Sequence, residues 1–451
     1  MKKFFAIFLI LPVIPPPLGA VSTLWTRTYG DGTTDLKFYS GAYDGEGHYV
    51  VVGERGDSAV ILKVDTADGD VLWEVTLSGF VSGSLKGVAV DGGGNYVVVG
   101  DVRTSSGENE AVVARLNASD GSTLWVRTYG GGSYDYLRAV LYDPDGYYVA
   151  VGYTYTPDIH AWMLKLDTSG NVVWSSTYST EPADRNELHS IAKDPEGYYV
   201  ATGLTHVYLT NNGQINLLKV STLTGDTVWR RTYGGDGWDA GYSVLYDPSG
   251  YYVVAGQDSA VRFSFLKVRR DGSVEWNRTY AGNGRSIATG ILRRRDGSYF
   301  AVGHSRNYTL NETSLALWEL EPSSGDSLNV TLMPSSPMSL STAEGLFSEG
   351  DGYAVVGYSR GSPSSTFYGF IMRVSGEGTT DVEERAETGA VHLKVINGGV
   401  FVRARGEAVI YSPEGRRVRT ITGGRTTFVP LNPGVYFVKT VSGVSRVIVP
   451  R

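Results

Sequence analysis

The sequence predicts an all-β fold assembled from repeats, and three observations carry that prediction. A glycine closing an apolar run recurs at Gly53, Gly100, Gly152, Gly203, Gly256, Gly303 and Gly357, at spacings of 47, 52, 51, 53, 47 and 54. A tryptophan following a turn recurs at Trp25, Trp73, Trp125, Trp174, Trp229 and Trp276. Finally, 58 glycines, 30 tyrosines and only 19% charged residues suit short strands joined by tight turns, and suit long amphipathic helices poorly. A β-periodic repeat near fifty residues is the length of a four-stranded propeller blade, whereas β-helix repeats are much shorter. Seven marker glycines therefore predict a seven-bladed β-propeller over 21–376.

The chain opens with Lys2-Lys3, an apolar stretch over 4–14, and Leu18-Gly19-Ala20. That is the pattern of a secretory signal peptide, 1–20, with cleavage expected after Ala20. The apolar stretch is short and ends in Pro15-Pro16-Pro17, which disfavours a membrane span. No other segment has the length to span as a helix, so no transmembrane segment is expected in the mature chain. The absence of cysteine excludes disulfides, thiolate metal sites, cysteine nucleophiles and a lipid anchor on cysteine. A formal net charge of −7 argues against nucleic acid as partner. The one dense basic run, Arg293-Arg294-Arg295, precedes Asp296-Gly297 and reads as a solvated hairpin end.

The strands of a blade are legible in the fifth repeat. Strand A covers 242–247, a Pro248-Ser249-Gly250 turn follows, strand B covers 251–256 and strand C covers 263–268. Asp271-Gly272 makes a hairpin turn into strand D, 274–280. The ends of the array complement one another. Residues 22–29 read as a D strand with no A, B or C before it, and the last repeat stops after strand C at 367–374. The N-terminal strand is thus expected to close the last blade, removing two exposed edges.

The run Lys63-Val64-Asp65-Thr66-Ala67-Asp68-Gly69-Asp70-Val71-Leu72-Trp73 resembles the strand C, turn, strand D segment of quinoprotein-type propeller repeats. The resemblance implies the fold and a docking motif, not a cofactor site. The quinoprotein dehydrogenases have eight blades and many carry vicinal cysteines, so the enzyme activity is not carried over.

An acidic, aromatic-free stretch over 377–388 reads as a linker. Beyond it, seven short alternating strands predict a small β-sandwich, 389–451. Three pieces resemble the type IX secretion C-terminal sorting domain: Ile410-Tyr411 with Gly415-Arg416-Arg417-Val418, Leu431 through Gly434-Val435-Tyr436 to Lys439, and the basic-ended final strand to Arg451. The opening, Val391-His392-Leu393, departs from the Asn/Pro-rich start of many members. The resemblance implies the type IX secretion machinery as a partner and a secreted or cell-surface location; a generic adhesive sandwich is the alternative.

Candidate site residues fall in two groups. Asp35, Asp135, Asp184 and Asp239 each lie six residues after a strand-D tyrosine, in D-to-A connections. Together they would form a partial carboxylate ring for a divalent cation such as calcium, or for sugar hydroxyls. Alternatively, each orders its own turn or reaches a neighbouring blade through Arg27, Arg127 or Arg231. The second group breaks the repeat. The B-to-C connections at 103–110, 153–160, 205–214 and 305–313 read as long loops and, with strand ends beside them, bring Tyr155, His160, His206, Tyr208, His304 and Tyr308 to the face of Trp238. Aromatics with amides and carboxylates suit a carbohydrate or peptide. The Asp-Pro-x-Gly runs at 143–146, 194–197 and 247–250 lack calcium-loop spacing and read as hairpin turns.

No catalytic constellation is legible, although carboxylates from different blades escape any reading of spacing. The leading function is a secreted or surface-displayed binding propeller for a glycan or an extracellular protein, with no cofactor. The alternatives are a polysaccharide hydrolase or lyase with channel carboxylates, and a structural surface or adhesion component.

Overall fold

The computed structural model describes residues 23–375 apart from 132–133, 180–184, 209, 211, 283, 309–311, 334–339, 351 and 361–364. Beyond 390 it describes the strands named below with Ser412 and Arg416. The expected signal peptide, the linker over 377–388 and Asp184 lie outside the described residues. Every regular element described is a strand, and no helix among them is long and apolar enough to cross a membrane. The chain divides into two compact units, Ser22–Ser375 and Gly376–Arg451, the latter grouped with the N-terminal residues.

Strand β1 is Thr23–Tyr29. Four-stranded antiparallel sheets follow. The first is β2–β5 (Leu36–Tyr43, His48–Arg55, Ser58–Asp65, Val71–Thr76) and the second β6–β9 (Ser82–Val90, Tyr96–Arg103, Asn109–Leu116, Thr123–Tyr129). Next come β10–β13 (Asp135–Asp143, Tyr147–Tyr155, Ile159–Asp167, Val172–Tyr178) and β14–β17 (Arg185–Lys193, Tyr198–Val207, Asn212–Ser221, Thr227–Tyr233). Then β18–β21 (Ala240–Asp247, Tyr251–Gln257, Phe263–Arg269, Val274–Tyr280) and β22–β25 (Arg285–Arg293, Tyr299–Asn307, Glu312–Leu320, Ser327–Met333). The last set is β26–β28 (Leu340–Glu349, Gly352–Arg360, Tyr368–Val374). Its fourth strand is β1, which pairs antiparallel with β28, Thr28 opposite Phe370 and Tyr29 opposite Gly369. Single parallel bridges among the described residues, Asn109 to Tyr134, Ile159 to Arg185, Gly213 to Trp238 and Thr313 to Leu340, link one sheet to the next. This is the all-β propeller architecture the repeat predicts.

The repeated residues are the ones that fasten sheet to sheet. Strand-D tryptophans donate their indole N–H to the C–D turn of the following sheet: Trp25 to the Thr66 carbonyl at 3.0 Å, Trp125 to Thr168 at 3.1 Å, Trp229 to Arg270 at 2.8 Å. Strand-D tyrosines reach the same turns, Tyr29 to the Gly69 carbonyl at 2.9 Å and Tyr178 to that of Gly225 at 2.7 Å. At the other end of the strands, the strand-B tyrosines of five sheets, Tyr96, Tyr148, Tyr199, Tyr252 and Tyr299, donate to the aspartate of the preceding sheet's A–B turn. Tyr148 reaches Asp91 at 2.9 Å, Tyr252 reaches Asp194 at 2.6 Å, and Tyr299 reaches Asp247. Asp143, Asp194 and Asp247 also accept from their own turn amides, so the Asp-Pro-x-Gly runs are hairpin turns, as the sequence implies. The strand B interiors are buried on both faces, as in Tyr49-Val50-Val51-Val52.

Two expectations need correction. The B–C connections are shorter than predicted, because strands B and C continue their ladder into them: Tyr155 pairs with Ile159, Val207 with Asn212 and Asn307 with Glu312. Strands B run to Arg103, Tyr155, Val207 and Asn307, and strands C begin at Asn109, Ile159, Asn212 and Glu312. The arginine run is not wholly solvated either. Arg294 is buried and ion-paired with buried Glu319 at 3.0 Å.

In the C-terminal unit, β29 (Val391–Ile396), β30 (Gly399–Ala404) and β33 (Thr427–Pro430) form one sheet in the order β29-β30-β33. A second sheet has the order β32-β31-β34-β35, from β31 (Ala408–Tyr411), β32 (Arg417–Ile421), β34 (Gly434–Thr440) and β35 (Gly443–Val449). Ile410 and Val429 are buried, one from each sheet.

Candidate functional site

The innermost strand of every propeller sheet carries a β-bulge at the same place. The ladder skips one residue between Phe38 and Ser40, Leu85 and Gly87, Leu137 and Ala139, and Leu188 and Ser190. It does so again between Gly241 and Ser243, Ala288 and Gly290, and Ala343 and Gly345. The skipped residues are Tyr39, Lys86, Arg138, His189, Tyr242, Thr289 and Glu344, and all of them line one central cavity of about 470 Å³. A bulge re-aims a side chain and sharpens the local twist. Here it turns a ring of side chains into the channel.

The marker glycines exist because of this bulge. Each one faces the residue before it, as Gly53 faces Phe38 and Gly203 faces Leu188. A Cβ at Gly53 would overlap the Lys37 carbonyl oxygen, and one at Gly203 that of Glu187. The backbone approaches so closely that only glycine fits.

The ring is chemically individual where the scaffold is uniform. Lys86 places its ammonium 3.3 Å from the centroid of the Tyr39 ring. Burial brings Lys86 down to about 8, against the opposing charges of Glu54 and Asp101. His189 stacks on Tyr242, ring centroids 5.2 Å apart and nearly parallel. Its Nδ1 meets the Gly241 carbonyl at 2.8 Å and its Nε2 meets Glu187 at 3.0 Å. Glu187 is itself buried and accepts from Arg185 at 2.5 Å. Burial alone would raise Glu187. The hydrogen bond to His189 and the charges of His189, Arg185 and Arg138 outweigh it and hold the carboxyl at about 2. Glu344 goes the other way. Burial pushes it up to about 7, only partly offset by Lys86 and a hydrogen bond with Tyr358. It keeps part of its surface open to the channel. His304 is held down to about 4 by burial, so its imidazole is neutral at pH 7.

Of the aspartates expected to form a carboxylate ring, the three described, Asp35, Asp135 and Asp239, are each engaged by backbone amides. Asp135 is fully buried and accepts from the Thr154 hydroxyl and, at 3.2 Å, from the Gly131 amide. Asp239 accepts from the Gly235 and Ser259 amides, both at 3.2 Å. Asp35 accepts from the Phe367 amide at 2.9 Å. Arg27, Arg127 and Arg231 do not reach them. Arg27 bonds Asp70, Arg127 bonds Asn171, and Arg231 bonds a carbonyl of its own strand. Among the described residues no group of three or more His, Asp or Glu is placed to hold a metal.

The aromatic group is partly assembled. His206 is buried between Trp238, at 4.6 Å between centroids, and Tyr208, at 4.9 Å, with neither ring nitrogen hydrogen-bonded. Trp238 and Tyr308 line one surface cavity of about 770 Å³. Tyr308 and His304 line another of about 410 Å³. Tyr155 packs edge-on against Tyr134, and His160 bonds the Thr156 carbonyl at 3.1 Å, away from these cavities. Sequence reading missed the bulge ring. A signal was present: each ring residue precedes its marker glycine by fourteen positions, or thirteen in the last repeat, and that column varies.

Residues 22–277 match a family model described as outer membrane protein assembly factor BamB, of the PQQ_2 repeat type. No curated protein matches the chain. Among solved structures, the fold is similar to Kuenenia stuttgartiensis hydrazine synthase, at 11% identity over 70% of this chain and 91% of that one, TM-score 0.49. It is similar to a quinohemoprotein alcohol dehydrogenase from Comamonas testosteroni, at 11% identity over 78% and 68%, TM-score 0.43. It is also similar to a protein of unknown function from Dyadobacter fermentans, at 9% identity over 80% and 100%, TM-score 0.49.

Proposed function

We propose, for a chain that belongs to the outer membrane protein assembly factor BamB family, that it is a secreted or cell-surface binding propeller. Its ligand is a glycan or an extracellular protein, received in the central channel and at the mouth beside Trp238 and Tyr308. The scaffold in this reading is seven-bladed, with β1 completing the last blade. One observation carries the binding role. The residues that fasten the blades repeat, whereas the bulge ring presents Tyr, Lys, Arg, His, Tyr, Thr and Glu at equivalent places. Structure alone requires the bulge and its glycine; it does not require polar side chains that vary around the ring. The C-terminal unit is read as a β-sandwich sorting domain, 389–451, that engages the type IX secretion machinery. The hairpin of β31 with β32 and the pairing of β31 with β34 support that reading.

The test is a binding screen of the full chain against glycans and extracellular proteins, repeated with His189→Ala. A saturable ligand whose affinity falls about tenfold or more in the variant supports the reading, being the scale of one lost charge-assisted contact. A ligand indifferent to the variant contradicts the channel's role.

A second reading is favoured by Glu187 and Glu344, whose environments push their carboxyls to about 2 and about 7. Divergent carboxylates are the pattern of acid–base pairs, and a polysaccharide hydrolase or lyase would use Glu344 as its proton donor. Release of new chain ends from a polysaccharide, abolished by Glu344→Gln, distinguishes it from binding alone.

A further inference from the structure

We propose that the channel mouth binds the acidic groups of an anionic carbohydrate, carboxylate or sulfate, on Arg285 and Arg306. This rests on the binding reading above and names its ligand class. The cavity of about 410 Å³ is lined by three arginines, Arg285, Arg306 and Arg360, and by one carboxylate, Glu344. The adjoining cavity of about 770 Å³ shares Arg285 and Tyr308 with it and has no carboxylate in its lining. Neither Arg285 nor Arg306 makes an ion pair among the described residues. The Arg306 Nε is buried without a hydrogen-bond partner, and its guanidinium lies 4.9 Å from the Tyr308 ring centroid.

The chain has a net charge of −7, yet among the described residues these two arginines lack the carboxylate partner that others have. Arg262, on the same cavity wall, pairs with Asp258, and Arg115 pairs with Asp91 at 2.7 Å. A buried guanidinium N–H with no acceptor is unfavourable, and a bound anion would satisfy it. Arginine's planar fork fits carboxylate and sulfate alike.

Two observations favour a carbohydrate over an acidic peptide. The Tyr308 ring is 61% exposed and Trp238 is half-buried, both facing the same cavity, where sugar rings stack. Gln257 lines that cavity with its amide oxygen buried and unpartnered, an acceptor that a sugar hydroxyl fills. Acidic groups would meet the arginines while the sugar rings run along the aromatics.

The experiment is calorimetric titration of the full chain with four probes. They are an oligogalacturonate, a sulfated chondroitin oligosaccharide, cellotetraose and an oligoglutamate peptide. Wild type is compared with Arg285→Ala, Arg306→Ala and Arg306→Lys, each first shown to melt like wild type. At least one acidic oligosaccharide is expected to bind, cellotetraose at least about tenfold more weakly. Each alanine variant should weaken binding about tenfold, with the lysine variant between. Whether the uronate or the sulfated sugar binds better identifies the acidic group. Cellotetraose binding as tightly, unchanged in the variants, overturns the inference and leaves the binding reading standing. Binding of oligoglutamate alone also overturns it, in favour of an acidic peptide. If no oligosaccharide binds, the inference falls and the broader reading is confined to a protein ligand.

Discussion

Glu187 shows how one side chain can tie the channel to stability. Its folded pKa of about 2 lies below the ordinary glutamate value near 4.3. A depressed carboxyl stabilises the fold fully above its unfolded pKa, and that contribution is lost as pH falls through the folded one. Glu187→Gln should therefore cost about 3 kcal/mol at pH 7, where Arg185 and His189 lose their buried partner. The difference from wild type should shrink as pH drops from about 4.5 towards 2; urea titrations at several pH values measure it. A constant difference across that window contradicts the assignment. Asp135 makes a contrasting prediction. Its oxygens are spent on Thr154 and the Gly131 amide. Asp135→Ala should destabilise by about 1–3 kcal/mol and leave ligand affinity and any response to calcium or chelator unchanged. Spacing from a tyrosine marked these aspartates in the sequence, but it could not show that their oxygens are taken up by nearby amides and hydroxyls, some from distant segments such as Phe367.

At the scale of the element, the strands were legible because every turn is chemically marked. β21 runs Val274–Tyr280, as its alternation implies. The B–C loops were overread because their polar residues looked like loop while the ladder in fact continued, as at Tyr155 and Ile159. The bulge ring was hidden for another reason. Gly53 and its equivalents were visible as a repeat, but their purpose lies in strand A, where a Cβ would strike a carbonyl oxygen. Gly203→Ala is the direct test. Overpacking against the Glu187 backbone should cost about 3 kcal/mol and should weaken channel binding by displacing His189. A smaller change at the blade joint, Tyr178→Phe, leaves the Gly225 carbonyl without its partner. It should cost about 1 kcal/mol with binding intact, as read by denaturant midpoints and ligand titration.

For the whole molecule, closure is the organising event. β1 is separated in sequence from β28 by the entire propeller, yet pairs with it from Thr23 to Tyr29. Removing 21–30 strips β28 of a partner, exposes a sheet edge and removes the Trp25 and Tyr29 bonds to the next sheet. The truncated chain should lose its cooperative thermal transition; an unchanged transition contradicts closure by β1. The repeat architecture could be read from sequence because each repeat must bury the same faces. The channel could not, because it is made by residues about fifty positions apart that meet only when the sheets are arranged around it.

The central claim is that the bulge ring and its mouth receive a ligand. The most direct measurement is a thermal-unfolding panel on the full chain with glycans, extracellular proteins, divalent cations and chelator, run alongside a His189→Ala, Arg285→Ala double variant. The account predicts that one ligand class raises the melting temperature of wild type, that the double variant loses most of that rise, and that cations and chelator do nothing. A rise that persists undiminished in the double variant, or a rise produced by calcium and reversed by chelator, contradicts it.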